Sequence, residues 1–269
     1  MCEIMEQMEK ELLENIKNSI SETVKEKKIG IAFSGGVDST LISKICSDMD
    51  YDITLLTIGF AESHDILFAK QVNEYLKYSH YVLEIDSETF PAVSLKIQQT
   101  INTENLSWNE NCIAFHYVSQ LAKSLNLDTI ITANGIDELF CGYNAYREAF
   151  SEGESKIHEV MISKLDNEIK MMKAVNLIAS AFDVKIIQPL LSSKFIDYAK
   201  TIPLNEKIHD SEDLYRKHII RKLASQVNVP EISYTKRKKA LQYGSKIHTA
   251  LLKTREIFEL SFELIFLHY

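Results

Sequence analysis

The 269-residue chain carries 38 acidic against 30 basic side chains, a net charge of −8, and only 8 Gly, 4 Pro and 4 Cys. So little glycine and proline, against typical usage of about 7% and 5%, counts against turn-dense β-sandwiches, barrels and low-complexity linkers, and leaves a helix-rich globular chain. Four isolated cysteines form neither a C-x-x-C pair nor a zinc spacing, no apolar run approaches the ~20 residues of a membrane span, and the acidic balance counts against a nucleic-acid coat protein.

From the N-terminus, Ile4, Met8, Leu12, Ile16 and Ile20 recur at helical spacing and predict an amphipathic helix over 4–26. Ile29 to Phe33 is short, β-branched and almost wholly apolar, as a buried parallel strand should be. It runs into Ser34-Gly35-Gly36-Val37-Asp38-Ser39, after which Leu41, Ile42 and Ile45 open a helical stripe. Further strands are expected at 53–58, 80–85 and 129–132, with helices near 64–77, 88–101 and 111–125 between them. That alternation predicts a parallel sheet with helices on both faces. From 155 to 225 the spacing is helical, apart from a β-like run at 184–187 and a break at Pro189. No linker marks a boundary, so one domain over 1–269 is expected: an N-terminal helix over 1–26, a nucleotide-binding α/β core over 27–150 and a mostly helical part over 151–269.

The strongest chemical signal is the Ser34–Ser39 segment, set between a strand and a helix start. Adjacent Gly35 and Gly36 let the chain turn tightly and aim successive N–H groups at one point, the helix N-terminus adds partial positive charge, and the Ser34 and Ser39 hydroxyls complete an anion cradle suited to pyrophosphate. Asp38 beside such a cradle makes sense if Mg²⁺ bridges carboxylate and phosphate. No lysine follows the second glycine, so this is not a Walker A loop.

Ser34 to Ser39 resembles the PP-loop of the ATP pyrophosphatase superfamily, and three further segments are similar to asparagine synthetases. Thr57-Ile58-Gly59-Phe60 with Ser63-His64-Asp65 matches the segment whose backbone contacts adenine, His64 standing where proline is usual. Asn134-Gly135-Ile136-Asp137-Glu138-Leu139-Phe140-Cys141-Gly142-Tyr143 resembles the family's G-E-G-x-D-E-x-F-G-G-Y motif; the resemblance implies that Asp137 shares Mg²⁺ with Asp38. Tyr234 to Ser245 (YTKRKKALQYGS) resembles the segment carrying a lysine that neutralises departing pyrophosphate, which makes Lys238 the implied catalytic cation. Lys217 and Arg221 also match a K-x-x-x-R pattern upstream. The implied fold is a Rossmann-like sheet of the adenine nucleotide alpha hydrolase type with an appended helical C-terminal part. The implied cofactors are ATP and Mg²⁺.

Two departures from the family bear on the acceptor. The first core strand arrives near residue 29, so the resemblance covers a synthetase domain without the glutaminase domain, and Cys2 lacks the fold that would activate it. Nitrogen is then expected from ammonia, an amine or a separate glutaminase chain. Asn134 stands where the family commonly has a glutamate thought to act as general base, and Ser107-Trp108-Asn109-Glu110-Asn111 offers no cation for a substrate carboxylate. The expected activity is an AMP-forming carbon–nitrogen ligase that adenylates a carboxylate, by default aspartate, in the cytoplasm, in a chain open to self-association. The alternatives are a PP-loop tRNA-modifying enzyme, disfavoured by the net charge, and an ATP-binding protein without catalysis.

Overall fold

The structure is a computed structural model describing residues 6–236 and 241–266. Its elements in chain order begin with α1 (Gln7–Thr23), β1 (Lys28–Ala32), α2 (Val37–Asp48), β2 (Asp52–Gly59), α3 (His64–Leu76) and β3 (Ser79–Glu84). They continue with α4 (Phe90–Ile101), α5 (Leu106–Ser124), β4 (Thr129–Ile131), α6 (Ile136–Leu139), α7 (Asn144–Phe150), α8 (Glu154–Ser180) and β5 (Lys185–Ile187). The last are α9 (Ser193–Thr201), α10 (His218–Gln226), α11 (Glu231–Thr235), α12 (Leu241–Gly244) and α13 (Ile247–Phe266).

The five strands form one parallel sheet in the order β3-β2-β1-β4-β5. Strand side chains alternate between its faces. Ile29, Ile31, Leu55 and Ile131 join the layer containing Leu12, Leu41 and Leu223, while Leu56, Ile58, Ile130 and Ile186 join Ile113, Met172 and Val175 on the other side. Full burial of each such side chain contributes about 1.5–3 kcal/mol. The β-like run at 184–187 is thus the edge strand of the same sheet, paired with β4 through Thr129–Lys185, Ile130–Ile186 and Ile131–Ile187. Three residues give too short an alternation for periodicity alone to distinguish a strand from a loop. Asn105 caps α5, its side chain accepting from the Trp108 N–H at 3.1 Å, so that helix starts five residues before the apolar stripe predicts.

The order places a switch point at the carboxyl ends of β1 and β4, since the chain proceeds outward from β1 to β2 and β3 and then returns to β4 and β5 on the opposite side. Ligands of open parallel sheets gather at that crevice. Both sequence motifs, Ser34–Ser39 after β1 and Asn134–Tyr143 after β4, begin there.

Candidate active site

The turn after β1 depends on Gly35, whose φ of +77° lies in the left-handed region and whose absent side chain would meet the Phe68 carbonyl oxygen at 3.1 Å. Gly36 has an ordinary φ of −66°, so its small size leaves room in front of the helix rather than permitting the turn. The Ser34 N–H donates to Ser39 Oγ at 3.3 Å, and the two hydroxyl oxygens lie 3.4 Å apart. This cradle opens α2 with Asp38 in its first turn.

The turn after β4 is organised around Glu138. One carboxylate oxygen accepts from the Gly135 N–H at 3.0 Å, the other from Tyr143 Oη–H, and Tyr146 Oη–H donates to the Glu138 carbonyl. Gly135, at φ +109°, lies against Leu190, where a Cβ would come 2.9 Å from a carbonyl oxygen. A Cβ on Gly142 would fall 1.9 Å from Asp137 Oδ1, so that glycine makes the space in which Asp137 is aimed.

Asp38 and Asp137 converge on a single cation, Lys217. Its Nζ donates to Asp38 Oδ1 and Oδ2 at 2.8 and 2.7 Å and to Asp137 Oδ1 at 3.0 Å. Lys217 is 1% exposed, sits at a left-handed φ of 54° before α10, and its N–H donates to the Lys207 carbonyl at 2.6 Å. Burial pushes its ammonium below the ordinary lysine range, and the Asp38 carboxylate opposes that fall. The loop bearing it is tied by Asp213, whose carboxylate accepts from the backbone N–H groups of His209, Tyr215 and Arg216 at 3.0, 3.0 and 2.9 Å and meets His218 Nε2 at 2.6 Å. Burial raises the Asp213 carboxyl, but those donors together hold it well below the usual carboxylate range.

Two cavities meet at this point. The larger, about 260 Å³, takes apolar walls from Leu56, Ile58, Phe115 and Val118, and polar ones from Asn134 and the α8 residues Lys164, Asn167 and Glu168. Asp38 and Asp137 also line it. The smaller, about 60 Å³, lies between Ser34, Gly36 and Ser39 on one side and Lys217, Arg221 and Lys236 on the other. Of the candidate residues, Ser34, Asp38, Ser39, Ile58, Asn134 and Asp137 face the larger cavity, Gly36 faces the smaller, and Gly35, Gly59 and Gly135 line neither. Lys238 lies outside the described residues.

Asn134 has a carboxylate partner. Its Nδ2–H donates to Glu168 Oε1 at 2.6 Å across 34 residues of sequence. Glu168 is 4% exposed; burial raises its carboxyl, with the Asn134 hydrogen bond opposing, and burial together with Glu168 raises that of Glu138. The sequence carries a trace of Glu168, since it interrupts the buried stripe Met161, Leu165, Met172, Val175 of α8. Lys164, one turn earlier, also lines this chamber and brings a cation to it from a helix other than the one that carries the 107–111 segment.

The carboxylates of Asp38 and Asp137 converge from two turns on the Lys217 ammonium, beside a hydroxyl-rich turn. Hard oxygen donors of this kind, completed by phosphate oxygens, are the set that Mg²⁺ takes, so the residues present fit that ion.

A glycine–serine turn facing a carboxylate-bearing turn at the switch point of a 3-2-1-4-5 parallel sheet makes this an α/β protein with its candidate site where open parallel sheets gather ligands. The chain belongs to the asparagine synthase family, an ATP-using synthetase family, whose sequence model matches residues 11–158 and 149–265. It is 27% identical over 262 residues to a Methanocaldococcus jannaschii protein provisionally named asparagine synthetase (glutamine-hydrolyzing) 1, covering 86% of this chain and 48% of that protein. To the asparagine synthetase (glutamine-hydrolyzing) of Mus musculus it is 22% identical over 233 residues, covering 81% and 41%. The chain therefore spans about half the length of the curated relatives it matches. Among solved structures, the NMN synthetase of Francisella tularensis aligns at a TM-score of 0.48 and 18% identity, covering 87% of this chain and 77% of that one. No helix among the described residues is long and apolar enough to cross a membrane.

Proposed function

We propose that this chain is an AMP-forming carbon–nitrogen ligase that adenylates a carboxylic acid and passes its acyl group to ammonia or an amine. The observation that carries the reading is the meeting of Asp38, Asp137 and Lys217 beside the phosphate turn. An acid carboxylate oxygen attacks the α-phosphorus of ATP, the bond to the α,β-bridging oxygen breaks, and the acyl-adenylate and pyrophosphate form. The turn's N–H groups and hydroxyls hold the phosphates, and Lys217, Arg221 and Lys236 surround the space where charge accumulates on the leaving pyrophosphate. Asp38 and Asp137 would hold Mg²⁺, which supplies charge neutralisation on the phosphates. Lys238 is assigned to the same leaving group by the resemblance of the 234–245 segment to the family's lysine-bearing one.

In the second step the amine nitrogen attacks the acyl carbon, the C–O bond to AMP breaks, and a proton leaves the nitrogen. Asn134 cannot take that proton; Glu168, beside it on the cavity wall with its carboxyl raised toward neutrality, can. The experiment is product analysis of ATP with carboxylic acids and ammonia, by the 269-residue protein and by Glu168→Gln. AMP and an amide are expected from the wild type; the variant should still adenylate the acid while amide formation drops by the 10²–10⁴-fold typical of a lost proton acceptor. ADP as the product refutes the ligase reading, and a variant that forms amide at the normal rate refutes the role of Glu168.

A further inference from the structure

The loop that delivers Lys217 has a second face. Arg216 and Lys217 both adopt left-handed backbone, at φ of 39° and 54°, and this turn sends the Lys217 ammonium inward to Asp38 and Asp137 while His218 swings outward over Asp213. His209 lies face to face with His218, the ring centroids 3.5 Å apart and the planes 5° apart. Asp213 completes the group: its Oδ2 is 2.6 Å from His218 Nε2 and accepts from the His209 N–H at 3.0 Å. Each of the three side chains offers one ligand atom within 4.8 Å of the other two, and among the described residues no other three histidine, cysteine or carboxylate side chains gather in this way. His209 is exposed and the His218 side chain 26% exposed, and neither lines either cavity, so the cluster is open to solvent apart from the site already described.

We propose that His209, Asp213 and His218 form a binding site for a divalent transition-metal ion of the Zn²⁺ type, separate from the Asp38–Asp137 pair, and that the bound ion clamps the loop carrying Lys217. The donor set decides the class of ion. Two imidazoles with one carboxylate suit Zn²⁺ and its transition-metal neighbours, whereas the oxygen-only pair of Asp38 and Asp137 suits Mg²⁺, so Mg²⁺ does not compete for the histidine site. With bonds of about 2.0–2.2 Å, tetrahedral ligands of Zn²⁺ stand ~3.4 Å apart, so the cluster has to tighten by roughly an ångström. Rotation of the two imidazoles off their stack supplies that closure without moving the backbone. The ion replaces the proton held between His218 Nε2 and Asp213 Oδ2, that proton passes to solvent, and water takes the fourth position. Asp213 keeps the N–H groups of Tyr215 and Arg216 on its other oxygen, Oδ1, so the loop retains those anchors as the metal links His209 to His218. These two residues flank the stretch whose inner face positions Lys217, and joining them stiffens it.

His209→Ala is the informative variant, because Asp213 uses only the backbone N–H of residue 209, which alanine keeps. The chelator-treated 269-residue protein and the variant would be titrated with ZnCl₂ by calorimetry in excess Mg²⁺, and with CoCl₂ by visible absorption. The wild type should bind one equivalent of Zn²⁺ and develop the d–d bands of a Co²⁺ ion held by nitrogen and oxygen. His209→Ala should bind Zn²⁺ at least about ten-fold more weakly and lose those bands. His158→Ala, which removes an exposed histidine of α8, should match the wild type. Added Zn²⁺ should also raise the thermal midpoint of the wild type and leave that of His209→Ala where it was. A wild type that takes up no Zn²⁺, or equal Zn²⁺ affinities of wild type and His209→Ala, overturns the proposal.

Discussion

Lys217 is the residue on which the site turns. Two carboxylates held 2.7–3.0 Å from one buried ammonium are stable only together. Removing the cation leaves two partly buried anions facing each other, and breaking a buried pair typically costs about 3–5 kcal/mol. Lys217→Met should therefore lower the urea midpoint markedly and eliminate acid-dependent pyrophosphate release; a variant of normal stability and activity would show that the ion pair is incidental. Asp38 and Asp137 were legible in the sequence because each sits in a turn whose glycines and neighbours identify it. Lys217 was visible only as half of a loose K-x-x-x-R pattern, because what makes it special is contact with a residue 179 positions away. Glu168 left only a trace: on a long helix, a charged residue on the buried face looks like any interruption of an apolar stripe.

Among the elements, the loop from Lys207 to Lys217 does what no motif announces. Asp213 gathers three backbone N–H groups and an imidazole, Arg147 Nε–H donates to the Ser211 carbonyl at 2.7 Å, and Arg216 donates from Nη2 to the Gly142 carbonyl at 3.0 Å. The loop is thereby fastened to the Asp137 turn and delivers Lys217 to it. Asp213→Ala orphans those donors, each bond to a charged acceptor contributing about 1.5–3 kcal/mol. The expected result is an unchanged far-UV circular dichroism spectrum with at least a tenfold fall in turnover, since a misplaced Lys217 no longer balances the two carboxylates. Wild-type turnover would mean that the loop holds its shape without Asp213. The strands were readable as short apolar runs bounded by turn chemistry, β5 among them as the β-like run at 184–187; its place at the sheet edge was not, since that follows only from pairing with β4.

For the molecule as a whole, the buried Glu138 and Glu168 couple stability to pH. Burial raises both carboxyls, and mutual repulsion raises Glu138 further, so the pair binds protons in the folded state at pH values where the unfolded chain has released them. The folded state then holds more protons than the unfolded state above the ordinary glutamate range, and stability falls as pH rises from there toward neutrality. The slope is about 1.4 kcal/mol per pH unit for each proton retained. Urea melts from pH 5 to 8 should show this decline, flattened in Glu168→Gln; an identical pH dependence in wild type and variant would assign the decline elsewhere. At this scale the sequence was most informative. A doubly covered parallel sheet with its site at the carboxyl edge follows from the alternation of short apolar strands and helical stripes, and from a glycine turn at the end of the first strand.

The central claim is that the site forms an acyl-adenylate, and ATP–pyrophosphate exchange tests it without any nitrogen donor. With Mg²⁺ and a panel of mono- and dicarboxylic acids, the 269-residue protein should return labelled pyrophosphate to ATP only when an acid is present, and Asp38→Ala should abolish the exchange. Tight ATP binding with no exchange for any acid would contradict it.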